Sequence, residues 1–221
     1  MIRHVGVPDV VIRRLIRNAL VLALLLCCGA ADTTHGVPPP ESPAFRLPGR
    51  GVLLAEDFSG DLAAWRPDRA GVWSVRHGVL RGDLPDQRQV RSLIWAGDST
   101  WQDYALDFDV CMMRGVDKGA VVRAQGDIGI GVDVRGGSYQ DVVAYVRQWP
   151  LGKAGAITSD AAWNHVQIET VAERVRVWIN GELRLDRTQA RTRRGRIALA
   201  AYTGGGGQCT VYYDNVAVTE R

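Results

Sequence analysis

The chain has 221 residues, 27 Lys and Arg against 24 Asp and Glu, and a formal net charge of +3. That near balance excludes a domain living on phosphate contacts, which would be more basic or carry a dense basic stripe. Hydrophobic residues at 46% and charged residues at 23% are ordinary for a globular protein, and the length fits one large domain or two small ones.

Residues 1–31 hold Arg3, Arg13, Arg14 and Arg17 against one acid, Asp9, so the rest of the chain is formally neutral. The basic stretch, the apolar run 19–26 and the small residues Gly29-Ala30-Ala31 form the pattern of a secretory signal. The run is too short to span a bilayer, which takes roughly 20 apolar residues. Two processing routes stay open. Cleavage after Ala30 or Ala31 releases a soluble protein, whereas lipidation at Cys27 or Cys28 anchors it. Leu26 before Cys27 departs from the lipidation pattern. Both routes place the protein outside the cell or in its envelope, touching membrane only through signal or lipid.

Residues 32–50 read as a tether. Four prolines within 37–43 fix φ and withhold backbone donors, which predicts an extended, semi-rigid spacer. Beyond it only Cys111 and Cys209 remain. Export permits a disulfide between them; two buried free thiols are the alternative.

From residue 51 the text is strand-like. Residues 104–112 alternate with Tyr104, Leu106, Phe108, Val110 and Met112 on one face. Strands are also expected over 52–58, 72–75, 78–81, 119–123, 128–134, 142–146, 163–171, 196–200 and 210–218. The strongest hairpin signal is Asn180-Gly181 between alternating runs, because both turn positions favour φ > 0. No sustained 3.6-residue period appears after residue 32. Many short strands with turn signals between them predict an antiparallel sandwich or barrel.

Several short motifs occur in a telling order. They begin with Asp57-Phe58-Ser59-Gly60 and Trp65, then Gly71-Val72-Trp73-Ser74-Val75. Next come Trp101-Gln102-Asp103-Tyr104, Gly119-Ala120-Val121-Val122-Arg123 and Trp163-Asn164-His165-Val166. The last are Asn180-Gly181, Gly195-Arg196-Ile197 and Tyr213-Asp214-Asn215-Val216. Over residues 51–221 this order resembles the concanavalin A-like lectin/glucanase sandwich. It is most similar to laminin-G-like domains and to the exported 3-keto-disaccharide hydrolases. The resemblance implies an all-β, antiparallel concanavalin A-like jelly-roll β-sandwich with a carbohydrate groove on its concave sheet. Such a shared fold does not by itself carry function.

Alternation nominates the groove. Arg123, Asp133, Tyr145, Arg147, Trp149, His165 and Gln167 are the expected ligand-binding residues, combining flat aromatic faces with hydrogen-bonding groups for hydroxyls. If the domain hydrolyses glycosides, Asp133 and Glu169 are the expected general acid and base. The laminarinase-type acid-x-acid-x-x-acid strand is incomplete, since Asp107-Phe108-Asp109 leads to Met112. No cofactor is required. A structural calcium ion is expected at Glu56, Asp57 and Asp214 if first and last strands are neighbours. The function read from the sequence is glycan or oligosaccharide binding on the concave face. The alternatives are glycoside hydrolysis of the 3-keto-disaccharide type and a non-catalytic envelope or adhesion role. Nucleic acid is not an expected partner, although arginine outnumbers lysine 25 to 2.

Overall fold

The computed structural model describes residues 38–46, 49, 51–126 and 128–221. The export segment with Cys27 and Cys28, and tether residues 32–37, lie outside them. Fifteen strands occur among the described residues. They are β1 (Val52–Glu56), β2 (Arg66–Pro67), β3 (Trp73–Arg76), β4 (Val79–Leu84), β5 (Arg91–Ala96), β6 (Tyr104–Arg114), β7 (Asp117–Gln125) and β8 (Ile128–Arg135). The rest are β9 (Asp141–Val146), β10 (Trp149–Gly155), β11 (Trp163–Val171), β12 (Arg174–Ile179), β13 (Glu182–Thr188), β14 (Arg196–Tyr202) and β15 (Cys209–Glu220).

The strands pair antiparallel in two sheets. The first runs β13-β12-β11-β6-β15-β4-β3, with β1 also on β15; the second runs β10-β9-β8-β7-β14-β5-β2. This is the expected all-β jelly-roll sandwich. Its core lies between the sheets, where Leu106, Phe108, Val110 and Met112 of β6 meet Ile130, Val132 and Val134 of β8. Burial of such apolar area is the main stabilising term.

Tyr213 of β15 is fully buried and ties the layers together. Its hydroxyl accepts from the Gly119 amide at 3.0 Å and lies 2.6 Å from the Ala200 carbonyl. Local turn chemistry agrees with the sequence. Asn180 and Gly181 have φ of 52° and 82°, and the β12–β13 hairpin closes on them. The β3–β4 hairpin closes one residue later than the expected Arg76-His77, on His77-Gly78 with φ of 55° and 75°.

Three strands occur where the pattern predicts none, β2, β5 and β10. The weak signal of β10 has a reason. It is an edge strand containing Pro150 and Gly152, and edges tolerate both.

Of the two alternatives for Cys111 and Cys209 the structure has the free thiols, and both are buried. Strand parity separates them. Cys111 packs with Val79 and Tyr212 on the outer face of the first sheet, whereas Cys209 belongs to the core between the sheets. Burial pushes the two thiols up, to about 11 and about 12. Both are expected to resist iodoacetamide at pH 8 in the native protein. Peptide mapping should find both alkylated after denaturation without reductant.

First and last strands are neighbours, with Glu56 opposite Val216. Even so, the expected calcium ligands do not gather. Glu56 accepts from the Phe58 amide and Trp65 Nε1, Asp57 accepts from the Ser59 amide, and Asp214 accepts from the Asn215 amide. Among the described residues no group of three or more His, Cys, Asp or Glu side chains is placed to hold a metal.

Candidate functional site

The outer face of the second sheet carries a groove whose floor is made by small residues. In one row Tyr145 of β9 is followed by Gly131 of β8, Val121 of β7, Ala198 of β14 and Trp95 of β5. In the next row Asp133 is followed by Gly119, Ala200 and Leu93. Tyr145 and Trp95 thus stand four strand spacings apart, roughly 19 Å at about 4.8 Å each. Arg91, Leu93, Tyr145 and Arg147 line the cavity over this floor, which holds about 190 Å³.

Glycine at 131 leaves the space in which the Tyr145 ring rests. A Cβ there would lie 2.4 Å from the Tyr145 ring, which rests over the floor. Tyr145 donates its hydroxyl proton to Asp133 Oδ1 at 3.2 Å. Burial raises the Asp133 carboxyl to about 6, and the Arg91 charge opposes that rise. The Arg91 charge also acts on the Tyr145 hydroxyl, opposing the rise that burial imposes on it. The result is one acid poised near neutral pH, a phenol and a guanidinium above an apolar floor. Trp95 is backed by Arg196, whose guanidinium lies 4.9 Å from its ring centre.

The nominated residues do not share one surface. Tyr145 and Arg147 line this groove, and Asp133 adjoins it through its hydrogen bond from Tyr145. Trp149 sits on edge strand β10, stacked at 4.1 Å by Arg191.

Arg123 is not in the groove, because β7 bulges there. Its φ is 50°, the register with β8 shifts between Val122 and Gln125, and the side chain is fully buried. The guanidinium donates to the carbonyls of Gln102 and Ala172 and to Asp103. One inserted residue resets parity, so Val121 and Ala124 both face outward while Arg123 turns aside.

His165, Gln167 and Glu169 belong to β11, in the other sheet. His165 Nδ1 lies 2.9 Å from Asp109 and Nε2 3.5 Å from Asp107, while Gln167 donates to Asp107 at 2.7 Å. Hydrogen bonds first to Asp107 and then to Asp109 raise His165 to about 9, so it is protonated at neutral pH. Glu169 is clamped by Arg176 and Arg221. Asp133 and Glu169 therefore face opposite sides of the sandwich and do not form an acid–base pair.

Sequence reasoning missed Arg91 and Leu93 as groove walls and Ala198 and Ala200 as floor. The signal was present. Arg91, Leu93 and Trp95 alternate with the buried Ser92, Ile94 and Ala96 in β5.

Residues 55–219 match the family described as 3-keto-alpha-glucoside-1,2-lyase-like domain. A curated relative, an extracellular exo-alpha-L-arabinofuranosidase of Streptomyces chartreusis, is 27% identical over 138 residues. That match takes in 59% of this chain and only 16% of the relative's length. Among solved structures, the carbohydrate binding module CBM66 from Bacillus subtilis superposes with a TM-score of 0.61 at 14% identity, covering 71% of this chain and 96% of the module. Domain 4 of AbnA, an extracellular arabinanase from Geobacillus stearothermophilus in complex with arabinotriose, gives 0.56 at 13% identity, covering 76% of this chain and 92% of that domain. At these identities the likeness is one of fold.

Proposed function

The chain belongs to the family of 3-keto-alpha-glucoside-1,2-lyase-like domains, and from that premise we propose that it is an exported domain that binds carbohydrate in the groove between Tyr145 and Trp95. One observation carries this reading: a floor of Gly and Ala set between two aromatic walls, with Asp133, Tyr145 and Arg91 at one side. Sugar rings present flat C–H faces that stack on such rings, and hydroxyls that bond such polar groups. The basic and apolar pattern of residues 1–31 supports export, as does the extracellular relative.

Retention on a glycan array tests it. Tyr145→Ala and Trp95→Ala are each expected to lower retention of the bound glycans by about tenfold, the effect of one aromatic wall. Unchanged retention in both sinks the groove assignment. Gly131→Ala offers a quieter probe. The new Cβ meets the far end of a side chain, so the thermal midpoint should barely move while Tyr145 is lifted and binding weakens.

A second reading rests on the Asp133 carboxyl at about 6. In a 3-keto glucoside the C2–H is acidified by the neighbouring carbonyl. Elimination moves that proton to a base, forms the C1–C2 double bond and breaks the bond to the C1 oxygen, which leaves with a proton. This chemistry needs one positioned base rather than two carboxylates on one face. Asp133 takes the base role, and the Tyr145 hydroxyl, 3.2 Å away, is the nearby proton source. Appearance of enone absorbance from a 3-keto glucoside, lost in Asp133→Asn, would support it. No absorbance change leaves the binding module.

A further inference from the structure

The cavity of about 690 Å³ on the opposite face, over β6, β11 and β15, has no part in the groove just described. Its roof is the proline-rich segment. Residues 38–46 have no helix or strand assignment and lie against the first sheet, where Trp163 Nε1 donates to the Pro40 carbonyl and Asn215 Nδ2 to the Pro43 carbonyl, each at 2.8 Å. The expected spacer is thus a strap, at least over these residues.

The floor beneath it is preorganised. Asp109 is fixed by His165 on one side and by Asn215 Nδ2, at 2.7 Å, on the other. Asn215 sits at a bulge in β15, with φ of 54°, which aims its side chain out of the ladder. It is 7% exposed, and its Oδ1 is buried without a hydrogen-bond partner among the described residues. A buried acceptor left unmade is costly. The strap residues that meet the sheet's donors, Pro40 and Pro43, offer carbonyls and have no N–H to give in return.

We propose that this floor is a second saccharide site, for which the strap is a displaceable cover. A ligand rich in hydroxyl donors answers Asn215 Oδ1 and the carboxylates of Asp107 and Asp109, while the Trp163 ring offers an apolar face for stacking. The lining charges favour a neutral ligand over an ionic one. Asp107 and Asp109 are met by His165, and Arg46 and Arg221 also line the cavity, so both signs are present. The cavity volume is that of an ordinary small-ligand pocket.

A glycan array of plant and bacterial oligosaccharides, probed with the full chain, tests this independently of the groove. In Tyr145→Ala, which weakens only the groove, a subset of glycans should remain bound at undiminished strength. Adding Trp163→Phe, which keeps a ring but frees the strap, should raise their retention about two- to tenfold, the fold-change of one net hydrogen bond. Adding Asn215→Leu, or the half-exposed His165→Gln as a check on folding, should lower it at least tenfold. The proposal is overturned if Tyr145→Ala retains no glycan, or if Asn215→Leu and His165→Gln bind as their parent does.

Discussion

Asp133→Asn is expected to stabilise the fold at neutral pH while weakening the site. The folded-state carboxyl titrates near 6 because burial penalises its charge, against an ordinary value near 3.9 in the unfolded chain. The folded state therefore holds its proton more tightly. Stability is fully present below about pH 4, falls as pH rises toward 6, and stays lower above it. The full loss corresponds to about 3 kcal/mol, and partial solvent access brings the expected gain of the Asn variant to about 1–3 kcal/mol at pH 7.5. Asn keeps the size and can still accept from Tyr145. Thermal denaturation at pH 4 and pH 7.5 is the check. The advantage of the variant should appear only at the higher pH, with glycan retention reduced at the same time. Opposite movement of stability and binding is what a strained functional group gives. Equal stability of the two proteins at pH 7.5 would mean that Asp133 is not held under strain.

Tyr213→Phe and Gly119→Ala should move stability and binding in the same direction, downward. The Tyr213 hydroxyl satisfies a buried amide and lies within hydrogen-bonding distance of carbonyls on β7 and β14. Its removal leaves the Gly119 N–H without its partner, at a cost of about 1–3 kcal/mol. Gly119→Ala should cost more, about 3 kcal/mol or beyond, because its Cβ would fall 2.0 Å from the Val132 carbonyl oxygen and backbone cannot step aside cheaply. Gly119 is also the floor residue beside Asp133. A shifted β7 should therefore carry the groove out of register, and glycan retention should fall with the urea midpoint. A Gly119→Ala chain with an unchanged midpoint would refute the close approach of β7 and β8.

The fold was legible in the sequence to the extent that local pattern determines it. Period-two alternation over 104–112 and 128–134, the Asn-Gly turn and the absence of helical period are all local features. They were enough for an antiparallel sandwich or barrel, and the resemblance in motif order selected the sandwich. The site was legible only in part. Asp133, Tyr145 and Arg147 came from correct parity on adjacent strands β8 and β9 and the turn after them. Arg123 failed because a bulge consumes one residue and resets parity, and no composition cue marks that position.

The sequence by itself determined which face of each strand is apolar, because alternation depends only on residue order. It also determined the Asn180-Gly181 turn that closes the β12–β13 hairpin, and where the net charge lies. Which strands share a sheet was decided only by the tertiary structure. His165 and Glu169 have the same outward parity as Asp133, yet they lie on the opposite side of the sandwich. Pairings such as β6 with β15 and β7 with β14 join residues 72 to 116 positions apart, and nothing local encodes them. Sheet membership set Asp133 beside Tyr145 rather than beside Glu169, placed Cys111 and Cys209 on opposite sides of one sheet, and laid a proline-rich segment across a polar floor. The physical reason is the same in each case. Side-chain direction is fixed within a strand, but which outward faces coincide follows from burying the apolar faces of all the strands at once.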